Sequence, residues 1–367
     1  MHEIPATWMR GGTSKCWVFR RDDLRVGDLS VDEVLLRVYG SPDHRQVDGV
    51  GGGTSTTSKA VILAPSTDDG VDVEYTFAQV GIDEAKVDWG SNCGNCSAVV
   101  ASFAIREGWV VTGCDETAVR VLNTNTGQLI VQRVDTPGGV LAEAPTQTIP
   151  GVPFPGAPVR MGFVDPAGRS TGHLFPTGRP SDSIVLDGDV VTVTLVDAGA
   201  PVVAVRAADF DVRGDEETQV LDATPGLLAR LDVVRREAGV RMGLAEDRAS
   251  VARAVPKLAM VSAAVGGGTE TDLTVRMLSM GRFHPAVPVT GSVALTLAAG
   301  EPGTVVHDLV PDRQVAGLRL GTPAGCVTTF VEQHDGVPVV GVVRTYRRLA
   351  HGSVLLPEPP LLPSASA

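Results

Sequence analysis

Alternation of apolar and polar residues dominates this chain. Runs such as VDVEYTFAQV, AVRVLNTNTGQLIVQRV, SIVLDGDVVTVTLVDAG and GVPVVGVVRTYRRL change face at nearly every step, and TG and DG pairs punctuate them. A period of two broken by such pairs predicts strands joined by hairpins. VILAPS adds a short apolar strand. Helical spacing is confined to residues 31–39, 95–106, 225–239 and 292–299. Strands with scattered helices, without strict βαβ alternation, predict an α+β fold. The end of the chain, LLPEPPLLPSASA, is rich in Pro, Ser and Ala and is expected to fray.

The pattern occurs twice. KCWVFRRDDL (residues 15–24) is echoed by PVVAVRAADF (201–210), each an apolar strand followed by Arg, an acid and a large apolar residue. NCGNCSAVVASFAIREG (92–108) is echoed by TGSVALTLAAG (290–300), each a Gly-containing turn and a small-residue apolar helix ended by Gly, which suits a left-handed C′ position. VGGGT stands at 50–54 and again at 265–269. The three echoes keep one order, at offsets of 186, 215 and 198 residues. Two topologically similar domains are expected, 1–184 and 185–350, followed by a tail at 351–367. A ligand cleft is expected between them, where small-molecule sites commonly lie.

Composition narrows the classes. The chain has 367 residues, too many for one ordinary core, and 43% of them are hydrophobic. No stretch approaches the roughly 20 apolar residues of a membrane span. The N-terminus lacks the basic-then-apolar pattern of a signal peptide, and five cysteines spread over the chain do not make a disulfide framework. A cytoplasmic protein with free thiols is expected. A net charge of −12 without a basic stripe argues against nucleic acid as a partner.

Of 31 basic residues only Lys15, Lys59, Lys86 and Lys257 are lysines. A lysine retained among so many arginines hints at chemistry: Lys15 and Lys59 end the Gly/Ser/Thr-rich words RGGTSK and GGGTSTTSK, while surface accident is open for Lys86 and, less readily, for Lys257. VGGGTSTTSKA is not a P-loop, because Ser58 stands where that motif needs Gly before Lys. Amides around Gly53 and hydroxyls of Thr54, Ser55, Thr57 and Ser58 could still hold a carboxylate or phosphate beside Lys59. MRGGTSK offers the same chemistry with Arg10 and Ser14. The second GGGT lacks a Lys, so the first half is expected to supply the reactive groups. RMLSMGRFHPA adds Arg276, Met280, Arg282 and His284 just before the Thr290–Gly291 turn. His284 reads equally as a structural histidine or a substrate contact.

Cys93 and Cys96 form a C-x-x-C in WGSNCGNCSAVV, the spacing of a redox pair or half a metal site. No second C-x-x-C and no histidine at ligand spacing accompany it, so no metal site is expected.

Taken together these words resemble the 2-methylaconitate isomerase (PrpF-type) family, which shares the diaminopimelate-epimerase-like fold. The resemblance runs nearly end to end through IPATWMRGGTSK, LLRVYGSPD, QVDGVGGGTSTTSKAVIL, DVEYTFAQV, SNCGNCSAVVASFAI, TGHLFPTG, VTLVDAGAP and GRFHPAVPVTGSVAL. It implies two similar domains, each a curved sheet around a central helix. It also implies isomerisation of small unsaturated di- and tricarboxylates by proton transfer without a cofactor, as in 3-methylitaconate isomerases and 4-oxalomesaconate tautomerases. By the same resemblance Cys93 is the active-site thiol and Lys59 the lysine closing the Gly-rich loop. Cys96 and Cys16 depart from the family pattern.

On that reading the C-x-x-C is a look-alike. Cys93 would sit at a helix N-terminus, where the dipole can bring a thiol from about 8.5 toward neutrality, while Cys96 packs as a small apolar residue. Lys59, in a desolvated pocket, is the first candidate base and Cys93 its partner acid/base. Substrate carboxylates would be received by Ser14, Asn92, Gly94, Asn95, Thr290, Gly291 and Ser292, in positive potential from Arg10 and Arg276. Two alternatives stand beside this: a carboxylate-binding accessory protein without catalysis, and an amino-acid epimerase or racemase, which would need a second thiol near Thr290–Gly291. A homodimer is only the default expectation.

Overall fold

The computed structural model describes residues 2–90, 92–264, 270–279, 281–310, 316–334 and 336–357. The chain opens with β1 His2–Gly11, β2 Ser14–Arg20, β3 Lys59–Pro65, β4 Val73–Val80, β5 Val87–Asp88, β6 Glu116–Asn123, β7 Gln128–Asp135 and β8 Ala157–Val164. It continues with β9 Asp182–Leu186, β10 Asp189–Ala198, β11 Ala200–Arg206, β12 Lys257–Ala263, β13 Leu273–Ser279, β14 Arg282–Phe283 and β15 Arg319–Thr322. β16 Gly325–His334 and β17 Val337–Leu356 follow. The α-helices are α1 Val31–Tyr39, α2 Gly94–Ser97, α3 Val100–Arg106, α4 Thr218–Ala223, α5 Leu227–Arg241 and α6 Val289–Gly300. No helix among the described residues is long and apolar enough to cross a membrane.

The strands follow one pairing plan twice. In the first half β1–β2 is antiparallel, β2–β3 parallel, β3–β4 antiparallel with β5 added to β4, β4–β6 parallel, then β6–β7 and β7–β8 antiparallel. In the second half β10–β11, β11–β12, β12–β13 with β14, β13–β15, β15–β16 and β16–β17 repeat that series of directions step for step. The α+β fold and its two similar halves are thus as the alternating pattern predicted. The VGGGT echo is different. The first copy precedes β3, while the second follows β12 in sequence, so the two words do not occupy equivalent positions. Residues 265–269 themselves lie outside the described residues.

β17 serves both ladders. Its first part pairs with β16 and with β8, and its second part pairs with β1, from Gly11↔Tyr346 to His2↔Leu356. The first ladder therefore returns on itself: β1, β2, β3, β4, β6, β7, β8, β17 and again β1. The sequence-based tail at 351–367 is corrected in its first part, because residues 351–356 continue β17. Val354 and Leu356 still alternate inward there and are buried, a pattern that the Pro-rich remainder concealed. Residues 358–367 lie outside the described residues.

Each sheet wraps a buried helical segment. The expected helix at 95–106 is two pieces, α2 and α3, separated by a turn at Ala98–Val99. Gln132 of β7 accounts for the break: its Oε1 accepts from the Ala101 amide at 3.0 Å and its Nε2 donates to the Ser97 carbonyl at 2.7 Å. A side chain inserted into the helical ladder in this way is a recognised cause of a kink. In the second half α6 is continuous and buried on nearly every face. Both segments belong to one core cluster that spans the two sheets.

The outer helices are amphipathic. α1 carries a capping box, Ser30 and Glu33, and ends at Gly40 with φ 69°. Those are the signals that start and stop a helix. Its buried face, Val34, Leu35, Val38 and Tyr39, packs on the first sheet with Ile4, Phe19 and Ile62. Each such side chain contributes roughly 1.5–3 kcal/mol on burial. α5 covers the second sheet through Leu227, Leu231, Val234 and Ala238.

Candidate active site

The two helical segments meet by their N-termini. A Cβ built on Gly94 would stand 2.7 Å from Cβ of Val289, so only glycine allows α2 and α6 to approach this closely. Around this junction opens a cleft of about 650 Å³ including its mouth. The first half contributes Ser14, Ser55, Thr56, Lys59, Gln79, Asp88 and Asn92 to Asn95, and the second contributes Lys257, His284 and Pro288 to Thr290.

Lys59 opens β3, immediately after the Gly-rich loop. Its Nζ donates to Gln79 Oε1 at 2.6 Å and lies 4.8 Å from the centroid of the Phe77 ring. Gln79 is held in turn by its Nε2 donating to the Ser58 carbonyl at 2.7 Å. The loop is riveted from within by buried Gln46, which donates to Ser58 Oγ at 2.7 Å and accepts from the Gly53 amide at 2.9 Å. Gly53 and Thr54 therefore belong to the scaffold of the loop and do not line the cleft. Ser55 and Thr56 do.

Cys93 is the N-cap of α2, and its Sγ accepts from the Cys96 amide at 3.4 Å. The expected depression of its pKa is not found. The Cys96 thiol hydrogen-bonded to it, together with burial, pushes Cys93 well above the ordinary thiol range, with Lys59 opposing. A four-residue helix supplies little dipole against these effects. Cys96 is buried, as expected, and its thiol also bonds toward Cys16, so three thiols lie in series.

Among the described residues, several polar groups at the cleft have no hydrogen-bond partner. Both side-chain ends of Asn92, and Oδ1 of Asn95, are buried with none, although Asn95 Nδ2 donates to Thr13 Oγ1 at 3.2 Å. Unsatisfied buried amides are costly and mark a place where a ligand completes the bonding. No side chain caps the N-terminus of α6, which leaves amides of its first turn open to an anion. His284 Nδ1 accepts from the Ala286 amide at 3.0 Å, which leaves the proton on Nε2. Burial lowers the His284 pKa to about 4, so the ring is neutral at ordinary pH.

Besides Gly53 and Thr54, four more sequence-based candidates are placed elsewhere. Arg10 donates to the Gly12 carbonyl and to Thr345, and Arg276 donates to carbonyls of Asp215, Glu216 and Val275; neither guanidinium lines the cleft. Gly291 packs against Met277, and Ser292 Oγ donates to the Val289 carbonyl inside α6. Ser14, Asn92, Gly94, Asn95, His284 and Thr290 are brought together with Lys59 and Cys93. Met280 lies outside the described residues. Gln79 and Asp88 escaped the sequence reading, which noted Lys257 as a retained lysine without placing it in the site. A single offset of 198 residues, which carries Asn92 onto Thr290, also carries Lys59 onto Lys257 and could have found it. Among the described residues, no group of three or more His, Cys, Asp or Glu side chains could hold a metal ion.

Two pseudo-equivalent sheets filled by helices, with a cleft where the helix N-termini meet, define an epimerase-like fold. The same fold is seen in a hydroxyproline epimerase from Agrobacterium vitis, which matches with a TM-score of 0.55 at 11% identity, covering 97% of this chain and 94% of that one. The family is more specific. The model of the PrpF protein family matches residues 1–357, and the chain belongs to that family. It is 40% identical to a 4-oxalomesaconate tautomerase of Pseudomonas putida over 96% of each chain. A solved methylitaconate-delta-isomerase superposes with a TM-score of 0.81 at 36% identity, covering 96% of this chain and 95% of that one.

Proposed function

We propose that this protein is an isomerase that moves a proton, and with it a double bond, in a small unsaturated di- or tricarboxylate. The observation that carries this reading is the convergence of Lys59 and Cys93 in one cleft with the Asn92 side-chain amide and the Asn95 Oδ1, which have no hydrogen-bond partner among the described residues. Full-length relatives named for oxalomesaconate and methylitaconate chemistry support the substrate class.

The reaction needs a base at an allylic carbon and an acid at the far end of the resulting allyl anion. The raised pKa keeps Cys93 as a thiol at neutral pH, which fits it to deliver a proton. Lys59 beside it is the group to remove one. As the C–H bond breaks, its electron pair spreads into the adjacent double bond and carboxylate. Protonation at the distal carbon then leaves the double bond shifted. The first-turn amides of α6, Asn92 and Asn95 receive the carboxylates and the charge that grows on them. In a racemase using two facing thiols a cysteine would stand opposite Cys93, but the equivalent position is Gly291, and Cys326 does not line the cleft.

Proton NMR in D2O with 2-methylaconitate, aconitate, 3-methylitaconate and 4-oxalomesaconate in turn tests the proposal. Deuterium entry or a new isomer with one acid, absent in Cys93→Ser, is expected. Binding of an acid without any exchange would replace this reading with that of an accessory carboxylate-binding protein.

A further inference from the structure

Lys257 opens β12 as Lys59 opens β3. Both strands run parallel to the preceding hairpin strand, with Val202↔Lys257 in one half and Trp17↔Ala60 in the other. KLAMVSA and KAVILAP also share one burial pattern, residue by residue. Lys257 is 7% exposed, yet it lines the cleft. Lys59 is provided with a side-chain acceptor and an aromatic face. Among the described residues Lys257 Nζ instead makes one hydrogen bond, to the Ala254 carbonyl at 3.3 Å. An ammonium has three donors, so its bonding capacity is largely unused. The charged and titratable groups facing it are Lys59 of β3, Asp88 of β5, Cys93 before α2, and His284 after β14. Arg10 and Arg276, the cations expected to offset a polyanion, are turned away from the cleft.

We propose that Lys257 is the cation that receives a substrate carboxylate on the second wall of the cleft, opposite the acid/base residues of the first half. This rests on the isomerase reading above and deepens it. Its partner is a second carboxylate of the substrate, remote from the carbon that loses its proton. The assignment requires a di- or tricarboxylate and disfavours a monocarboxylic acid. Lys257 is a substrate-binding residue on this account, not the base.

The pH dependence has a definite sign. Burial lowers the Lys257 pKa to about 8, with Lys59 acting in the same direction and Cys93 and Asp88 against it. Binding of a carboxylate favours the ammonium form and raises that pKa in the complex. Substrate affinity should therefore fall as pH rises through about 8, while kcat changes little there.

The test is steady-state kinetics of the wild-type enzyme, Lys257→Met and Lys257→Arg on the acid identified by NMR, from pH 6 to 9.5. KM should rise roughly 10- to 100-fold in Lys257→Met, the worth of a charged hydrogen bond, with kcat changed far less. Lys257→Arg should recover part of that loss, and the rise of wild-type KM above pH 8 should vanish in Lys257→Met. Unchanged KM in a folded Lys257→Met overturns the inference. So does a kcat loss at constant KM with wild-type kcat/KM increasing through pH 8, which would make Lys257 the base. If Lys257→Met does not fold, the wild-type KM profile decides alone: a flat one overturns the inference. Absence of turnover in the wild-type enzyme with every acid defeats the isomerase reading itself, a separate outcome.

Discussion

Where the Cys96 amide donates to Cys93 Sγ and the Cys96 thiol lies against the same sulfur, two opposite influences act on one atom. Burial and the neighbouring thiol prevail, and Cys93 rests protonated. Serine at position 93 cannot play the same part, since a hydroxyl is a far weaker acid, so Cys93→Ser should lower kcat by roughly 10²- to 10⁴-fold with the fold intact. Cys96→Ala removes the group that pushes Cys93 up. Alkylation of Cys93 at pH 8, followed on its own peptide by mass spectrometry because Cys114 and Cys326 are exposed, should then quicken. An unchanged rate would show that burial alone sets the thiol. His284 makes a second pH-dependent contribution. Its folded pKa of about 4 lies below the ordinary 6.5, so the folded state resists a proton that the unfolded chain accepts. Stability should therefore fall as pH drops from about 6.5 toward 4, by up to roughly 3 kcal/mol, and His284→Gln should flatten that part of the profile in chemical unfolding.

Elements with local punctuation were legible in the sequence, and those shaped from a distance were not. Ser30, Glu33 and Gly40 bracket α1 so completely that its bounds were predicted to the residue. The break between α2 and α3 has no local signal, because it comes from Gln132, more than thirty positions away on β7. That polar residue is wholly buried on a strand and looks, in sequence, like an exposed one. Gln132→Met should leave the Ala101 amide and the Ser97 carbonyl unpaired and cost about 2–6 kcal/mol, at roughly 1–3 for each group. Equilibrium urea unfolding would read it. The site divides in the same way. Lys59 and Cys93 sit in conspicuous Gly-rich and Asn-rich words, so sequence alone raised them. Lys257 sits in ARAVPKLAM, with nothing around it that suggests chemistry; its kinship with Lys59 shows only through the 198-residue offset and the repeated pairing plan. Arg10 and Arg276 were misjudged for the converse reason. They are charged and near the right words, but Arg10 Nη1 is bound to the Gly12 carbonyl and Thr345, and backbone carbonyls hold the Arg276 guanidinium.

At the scale of the whole molecule, two sheets with the same series of parallel and antiparallel steps bring one N-terminal helical turn each to a common cleft. The halves are alike in plan and unlike in chemistry: a thiol faces the cleft from one, and Gly291 occupies its place in the other. β17 binds the plan together by completing the first ladder with the last strand in the sequence. Removing residues 351–367 should therefore strip β1 of its partner over His2 to Thr7 and take Val354 and Leu356 out of the core they share with Ile4 and Ala6. At roughly 1.5–3 kcal/mol per buried side chain the loss is several kcal/mol, visible as a lower thermal midpoint. An untruncated midpoint in the shortened chain would mean that β1 finds another partner.

That closing strand also sets an order on synthesis. A ribosome delivers β1 and β8 well before β17, the neighbour of both, so the first ladder emerges with both edges unpaired and stays open until β17 has been made. Because His2 and Leu356 are direct partners, the start of β1 and the end of β17 lie side by side. A circular permutant that joins them through a short linker and begins at an exposed turn beyond β8 would deliver β17 and β1 consecutively, as a ready-made hairpin. Such a chain would complete the first ladder early in translation and should refold faster than the natural one.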